Sequence, residues 1–83
     1  MPTLGELIQV ATGDLYGWKI GTTPGVRGPR GIAKIRYLFR GDEFVDLSGA
    51  KDGDRLTRIS LWYLCRRLGI ALEEFGLSED AMF

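Results

Sequence analysis

The fold is decided by the stretch Ile32–Arg40, which reads IAKIRYLFR. Apolar or aromatic residues alternate with basic ones along it, and a period of two is typical of a β-strand with one buried face. The stretch therefore predicts a strand with one row of side chains in the core and the other in solvent. The predicted core row is Ala33, Ile35, Tyr37 and Phe39, and the predicted solvent row is Lys34, Arg36 and Arg40.

The residues on the C-terminal side of this stretch predict a hairpin. Gly41 and Asp42 are residue types favoured where a chain reverses. The apolar residues Phe44, Val45 and Leu47 come directly after them. We therefore expect a third strand that pairs with the strand formed by residues 32–40.

On the N-terminal side, Tyr16, Trp18 and Ile20 occupy alternate positions and predict a first strand over residues 15–22. Residues 21–31 hold four glycines and two prolines, residue types that interrupt regular structure. This density predicts a long loop between the first two strands.

Two amphipathic helices flank the predicted strands, because apolar residues recur there at the spacing of one helix face. The first is predicted over residues 3–12, with Thr3 and Glu6 as a capping box. The last is predicted over residues 56–68 and ends at Gly69, and residues 71–76 add one further turn. The apolar stripes are Leu4, Leu7, Ile8 and Ala11 in the first helix, and Leu61, Leu64, Cys65 and Leu68 in the last, widened by Ile59 and Trp62.

These elements predict one α+β domain over residues 1–83, in the order helix, three-stranded antiparallel sheet, helix (α-β-β-β-α), with a frayed tail at 78–83. A single cysteine, Cys65, and the lack of a basic, then apolar, leader at the start predict a cytoplasmic protein. The longest apolar run is too short to span a bilayer, so no membrane contact is expected.

Charge is unevenly distributed along the chain, although its formal net charge is zero. Six basic residues and no acidic one lie between Lys19 and Arg40, and such a run can bind phosphates by releasing their counterions. We expect a surface for RNA or another polyanion on the second strand and the glycine-rich segment, extended by the last helix. The alternative is that these charges have no binding role and are only the solvated side of a strand. The predicted contact residues are Arg27, Arg30, Lys34, Arg36, Arg40, Arg66 and Arg67.

The chain contains no histidine, which removes the commonest general base and the imidazole ligands of zinc sites. The carboxylates between residues 42 and 54 lack calcium-loop spacing, and the glycine-rich segment lacks the Gly-Lys-Ser/Thr ending of a phosphate-binding loop. We therefore predict no catalytic residue, no cofactor and no metal. Aromatic residues at 16, 18, 37 and 39 are predicted in the core with Cys65, which leaves Trp62 or Tyr63 as an exposed aromatic contact.

Residues 56–70, LTRISLWYLCRRLGI, together with Glu73-Glu74-Phe75, resemble the closing helix and ending of the HicA-type small toxins of bacterial toxin–antitoxin pairs. The resemblance implies a double-stranded-RNA-binding-like fold and mRNA interferase activity. The catalytic Gly-Ser-His-His element of that family corresponds here to residues 28–31, Gly-Pro-Arg-Gly, which lack the histidine. The expected function is therefore non-catalytic RNA binding.

Two alternatives to RNA binding stay open. The first is a bacterial or phage protein-interaction module, such as an inhibitor or accessory factor. The second is an active HicA-like toxin. The oligomeric state is not predicted.

Overall fold

The computed structural model describes residues 1–29, 31–47 and 49–82. It confirms the predicted α+β class and the order helix, three-stranded antiparallel sheet, helix. The elements are α1 (Leu4–Ala11), β1 (Lys19–Gly28), β2 (Gly31–Arg40), β3 (Glu43–Asp46), α2 (Arg58–Leu68), a 3-10 turn (Leu72–Phe75) and α3 (Glu79–Met82). The last of these is one turn of helix in the tail that the sequence predicts to be frayed.

The sheet has the strand order β1-β2-β3, and its two hairpins differ in length. β1 and β2 pair from Lys19↔Phe39 to Gly28↔Gly31, whereas β3 pairs only with residues 37–40 of β2. Residues 23–28 and 31–35 therefore form a two-stranded ribbon with no third strand beside it among the residues described, and we call this ribbon the arm. Ten strand residues extend about 33 Å, and the longest dimension of the molecule is 44 Å.

The prediction of a loop over residues 21–31 is wrong, because β1 and β2 continue through most of this segment. β1 is an edge strand, where Pro24 removes no ladder hydrogen bond if its nitrogen faces outward. A register shift between Pro24 and Arg27 absorbs the irregularity as a bulge. Density of glycine and proline therefore marks an irregular edge strand here.

Both helices pack on one face of the sheet. The buried residues of α1 and α2 meet Leu38 of β2, Val45 of β3 and Leu47 just beyond it. Trp18 lies among them, 2% exposed, and its indole N–H donates to the Leu68 carbonyl at 2.9 Å. The buried helix residues are Leu4, Leu7, Ala11, Leu61, Cys65 and Leu68, as predicted, whereas Ile8 and Leu64 are half-buried and Ile59 is exposed.

The prediction of which β2 row faces the core is wrong. Leu38 is fully buried, and Arg36 and Arg40 share its side of the strand. Tyr37 and Phe39 lie on the other side, half-buried. Alternation identifies two rows of side chains on β2 but does not show which row the helices cover. Here the covered row consists of one buried leucine, Leu38, between two arginines that have polar partners. The side chains of Ala33 and Lys34 lie outside the described part of the chain.

The first strand also begins later than predicted, at Lys19. Gly17 has φ 71°, a left-handed conformation that breaks the extended backbone between Tyr16 and Trp18. Trp18 enters the core from this turn, Tyr16 is half-buried, and Ile20 is 47% exposed. The apparent alternation of these residues is therefore not a strand period.

The ends of both helices follow the sequence closely. The Thr3 hydroxyl accepts a hydrogen bond from the Glu6 N–H at 3.2 Å, Thr57 caps α2 in the same way, and Gly69 ends α2 with φ 71°. The loop before α2 closes the start of α1, since the Gly5 N–H donates to the Asp52 carbonyl at 2.9 Å. A Cβ at Gly5 would lie 3.1 Å from that carbonyl oxygen, so glycine permits this close approach.

Candidate functional site

The basic residues predicted to form one surface are divided among three places in the structure. Arg36, at the base of the arm, is bound to the loop before α2. Its Nη1 lies 2.6 Å from Asp52 Oδ1, and its Nη2 donates to the Ala50 carbonyl at 3.0 Å. These contacts hold the guanidinium against the protein, so Arg36 joins the sheet to a loop.

Arg40 is also engaged in the body of the protein. Its Nη1 donates to the Tyr16 carbonyl at 3.0 Å, and its guanidinium carbon lies 4.5 Å from the ring centroid of Trp18. Its Nη2 is 3.6 Å from Glu43 Oε1. Arg40 thus covers the buried tryptophan with a cation–π contact.

The arm carries the second group. Arg27 lies in β1 and is exposed, as is Lys19 at the base of β1. Arg30 lies outside the described residues, and of Lys34 the structure describes only the backbone, which pairs with Pro24. By sequence, residues 23–35 hold these three cations and no carboxylate. The arm is therefore a basic ribbon, whereas Arg36 and Arg40 behind it are held by other residues.

The third group lies on α2. The Arg66 guanidinium stacks over Trp62, 4.9 Å from the ring centroid. Arg67 Nη2 donates to the Phe44 carbonyl at 3.2 Å. Both arginines are therefore engaged by neighbouring groups on the helix side of the molecule. Of the two aromatic residues left open by the sequence, Tyr63 is the exposed one, at 56%.

The sheet face opposite the helices carries aromatic residues that the sequence assigns to the core. The Tyr37 and Phe39 rings lie 5.7 Å apart, and Phe44 beside them is 64% exposed. A Cβ at Gly21 would come within 2.6 Å of the Tyr37 ring, so that ring lies across the β1 backbone. The available signal was the number of helices: two on a three-stranded sheet cover one face and leave the other open.

A groove of about 520 Å³ runs along the outer edge of β3, between that strand and α2. Leu64 and Val45 contribute apolar surface, and Tyr63 contributes an exposed ring. The lining residues are Asp42, Glu43, Phe44, Val45, Asp46, Tyr63, Leu64 and Arg67. The sequence does not predict this groove, because it depends on how α2 lies beside the sheet edge.

The remaining candidates for chemistry are structural. Cys65 is buried, as predicted, and burial raises the pKa of its thiol to about 11, which keeps it protonated and unreactive near neutral pH. Within the described residues, no three acidic or cysteine side chains gather as a metal site. None of the helices described is long and apolar enough to cross a membrane.

Comparison with known proteins adds no relative: no protein-family model, curated protein or solved structure matches this chain.

Proposed function

We propose that this chain is a non-catalytic nucleic-acid-binding domain that holds single-stranded RNA through its basic arm. The observation that carries the proposal is the arm itself. It extends beyond the third strand and includes Arg27 and Lys34, the sequence from 23 to 35 adds a third cation, Arg30, and contains no carboxylate, and none of the arm's described side chains belongs to the buried core. Cations on such a ribbon can follow a phosphate backbone without disturbing the fold.

The open sheet face supports a single strand as the ligand. Proteins that bind single strands combine a basic track for the phosphates with aromatic rings on which bases stack. Tyr37, Phe39 and Phe44 supply partly exposed rings on the face that begins at the base of the arm. The phosphates would follow the arm while one or two bases stack on these rings. The resemblance of residues 56–70 and 73–75 to HicA-type toxins favours RNA over DNA.

Binding is expected to be weak and strongly dependent on salt. Three phosphates neutralised on a single strand give a slope of about −2 for the logarithm of the association constant against the logarithm of salt concentration. The formal net charge of zero supplies no long-range attraction beyond the arm. We expect a dissociation constant between about 1 and 100 µM, the range of sequence-independent binding.

The test is fluorescence anisotropy of a labelled 20-nucleotide single-stranded RNA, titrated with the protein at several salt concentrations. Arg27→Ala should weaken binding and reduce the slope by about 0.7, and the triple variant R27A/R30A/K34A should abolish binding. Arg58→Ala is the matched control, because it removes one exposed positive charge from α2 and leaves the arm intact. Equal losses in Arg27→Ala and Arg58→Ala, or no salt dependence, would contradict the proposal.

The same samples test the absence of catalysis. With no histidine in the chain, we expect the RNA to be recovered at full length after hours at neutral pH. Cleavage that disappears in Arg30→Ala while the fold is retained would favour the toxin alternative instead.

A further inference from the structure

The outer edge of β3 presents backbone groups to the groove beside α2. The Leu47 N–H donates to the Arg36 carbonyl at 2.9 Å, which identifies residues 36 and 47 as a hydrogen-bonded pair. Backbone groups alternate in direction along an antiparallel strand. The N–H and C=O of Val45 therefore bond to β2, whereas those of Phe44 and Asp46 point away from β2, toward the outer edge. The Phe44 carbonyl accepts its hydrogen bond from Arg67, as this alternation requires.

The two edges of the sheet are protected differently. β1 carries a proline and a bulge, two devices that prevent another strand from pairing with an edge. β3 has neither of them, and the groove of about 520 Å³ beside it is large enough for a short peptide. A single long side chain, Arg67, covers one carbonyl of this edge. The β3 edge is therefore the more accessible of the two for strand addition.

Charge indicates what would pair there. Three acidic residues, Asp42, Glu43 and Asp46, line the groove with one basic residue, Arg67, and the Glu43 carboxylate also lies 3.6 Å from Arg40 Nη2. We propose that an extended, basic segment of a partner protein adds to β3 as a fourth strand. A backbone N–H of the incoming segment replaces Arg67 as the donor to the Phe44 carbonyl. Alternate side chains of the segment pack on the groove or form ion pairs with its carboxylates.

A second copy of this chain fits the edge less well. Antiparallel pairing of β3 with β3 of another copy, with the outward-facing Phe44 residues opposite each other, would place Asp42 opposite Asp46, and like charges in direct opposition destabilise a sheet. Pairing with β1 of another copy would meet Pro24 and the bulge that follows it. The acidic edge thus favours a basic strand from a different protein.

This inference does not depend on RNA binding, since it uses neither the arm nor the residues assigned to phosphates. Its probe is an acetylated hexapeptide that alternates lysine and valine, compared with an otherwise identical peptide that alternates glutamate and valine. We expect the lysine peptide to bind at least tenfold more tightly. Nuclear magnetic resonance should show the largest amide shifts at Phe44, Val45 and Asp46.

A backbone-methylated peptide separates strand addition from simple charge attraction. N-methylation of alternate residues keeps the lysines but removes the N–H groups that pair with β3, so it should abolish binding. Equal binding of the methylated and unmethylated peptides would reduce the interaction to nonspecific charge contact and overturn the proposal. Failure of the lysine peptide to bind at millimolar concentration would also overturn it.

Protein variants test the edge from the other side. Asp42→Lys should weaken peptide binding at least fivefold, whereas Asp14→Lys, the same charge change at an exposed residue outside the groove, should change it by less than twofold. Arg67→Ala should strengthen binding, because it removes both a competing donor and a like charge. Equal effects of the two lysine variants would contradict the location of the site, and Arg27→Ala should leave peptide binding unchanged.

Discussion

The two halves of the β1–β2 hairpin differ in what holds their cations. At the base, Arg40 covers Trp18 and Arg36 joins the sheet to Asp52. In the arm, Arg27 is exposed, with no ion pair or hydrogen bond found for its side chain among the residues described. The same segment, which has basic but no acidic residues, therefore contains structural arginines at one end and a solvent-exposed charge at the other. Sign of charge alone does not separate exposed cations from structural ones, whereas position relative to the core does.

The two halves should also respond differently to substitution, the base in stability and the arm in binding. The base is packed against both helices, and its buried tryptophan contributes both apolar area and a hydrogen bond to Leu68. The arm is held mainly by its own ladder of strand hydrogen bonds. We therefore expect substitutions at the base to change the free energy of unfolding, and substitutions in the arm to change binding.

The largest effect is expected at Trp18. Trp18→Ala leaves a large cavity and an unpaired Leu68 carbonyl, and it should lower the free energy of unfolding by about 3–5 kcal/mol. Urea denaturation followed by circular dichroism measures this loss. Tyr63→Ala, an aromatic truncation at an exposed position, is the matched control and should stay within about 0.5 kcal/mol of the native protein. Comparable losses in the two variants would contradict the assignment of Trp18 to the core.

The packed half was largely predictable from the sequence. Leu4, Leu7 and Ala11 repeat at helical spacing, and threonine caps and a terminal glycine mark helix ends by local hydrogen bonding and backbone conformation. These signals act within a few residues, so a single sequence contains them. The predicted stripes therefore correspond to the core that the structure shows.

The arm and the covered face of β2 could not be predicted in the same way. Glycine and proline at positions 21–31 favour a loop locally, and the pairing that overrides them depends on the partner strand. The choice between the Leu38 row and the Tyr37 row depends on which side the helices pack. The hydrogen-bond partners of Arg36 and Arg40 lie 14 to 24 residues away in sequence, so no local pattern reveals the contacts that distinguish them from Arg27.

The next largest effect concerns Cys65 in the packed half. Burial raises its thiol pKa from 9.0 to about 11 in the folded protein, so the unfolded chain loses the proton first as pH rises. The contribution of Cys65 to stability should therefore be constant below pH 9 and fall between pH 9 and 11, by about 2–3 kcal/mol in all.

The measurement compares urea denaturation of the native protein and Cys65→Ala across this pH range. Every other ionisable group is common to both proteins, so its contribution cancels in their difference. The advantage of the native protein over Cys65→Ala should shrink by that amount between pH 8 and 11. A difference that does not change with pH would show that the thiol is not buried as described.

The smallest effect on stability, and the sharpest test of the comparison, is a pair of arginine substitutions in the same hairpin. Arg36→Ala removes a partly exposed ion pair with Asp52 and a hydrogen bond to the Ala50 carbonyl, so it should lower the free energy of unfolding by about 0.5–1 kcal/mol. Arg27→Ala removes the same charge from the arm and should change stability by less than about 0.3 kcal/mol. The order should reverse for RNA affinity. Arg27→Ala should weaken RNA binding more than Arg36→Ala, because of the two arginines only Arg27 has its charge exposed to a phosphate. Denaturation and anisotropy on the same two variants measure both quantities. If Arg36→Ala weakened RNA binding as much as Arg27→Ala while stability stayed unchanged, the base of the hairpin would belong to the binding surface, and the division between the two halves would be wrong.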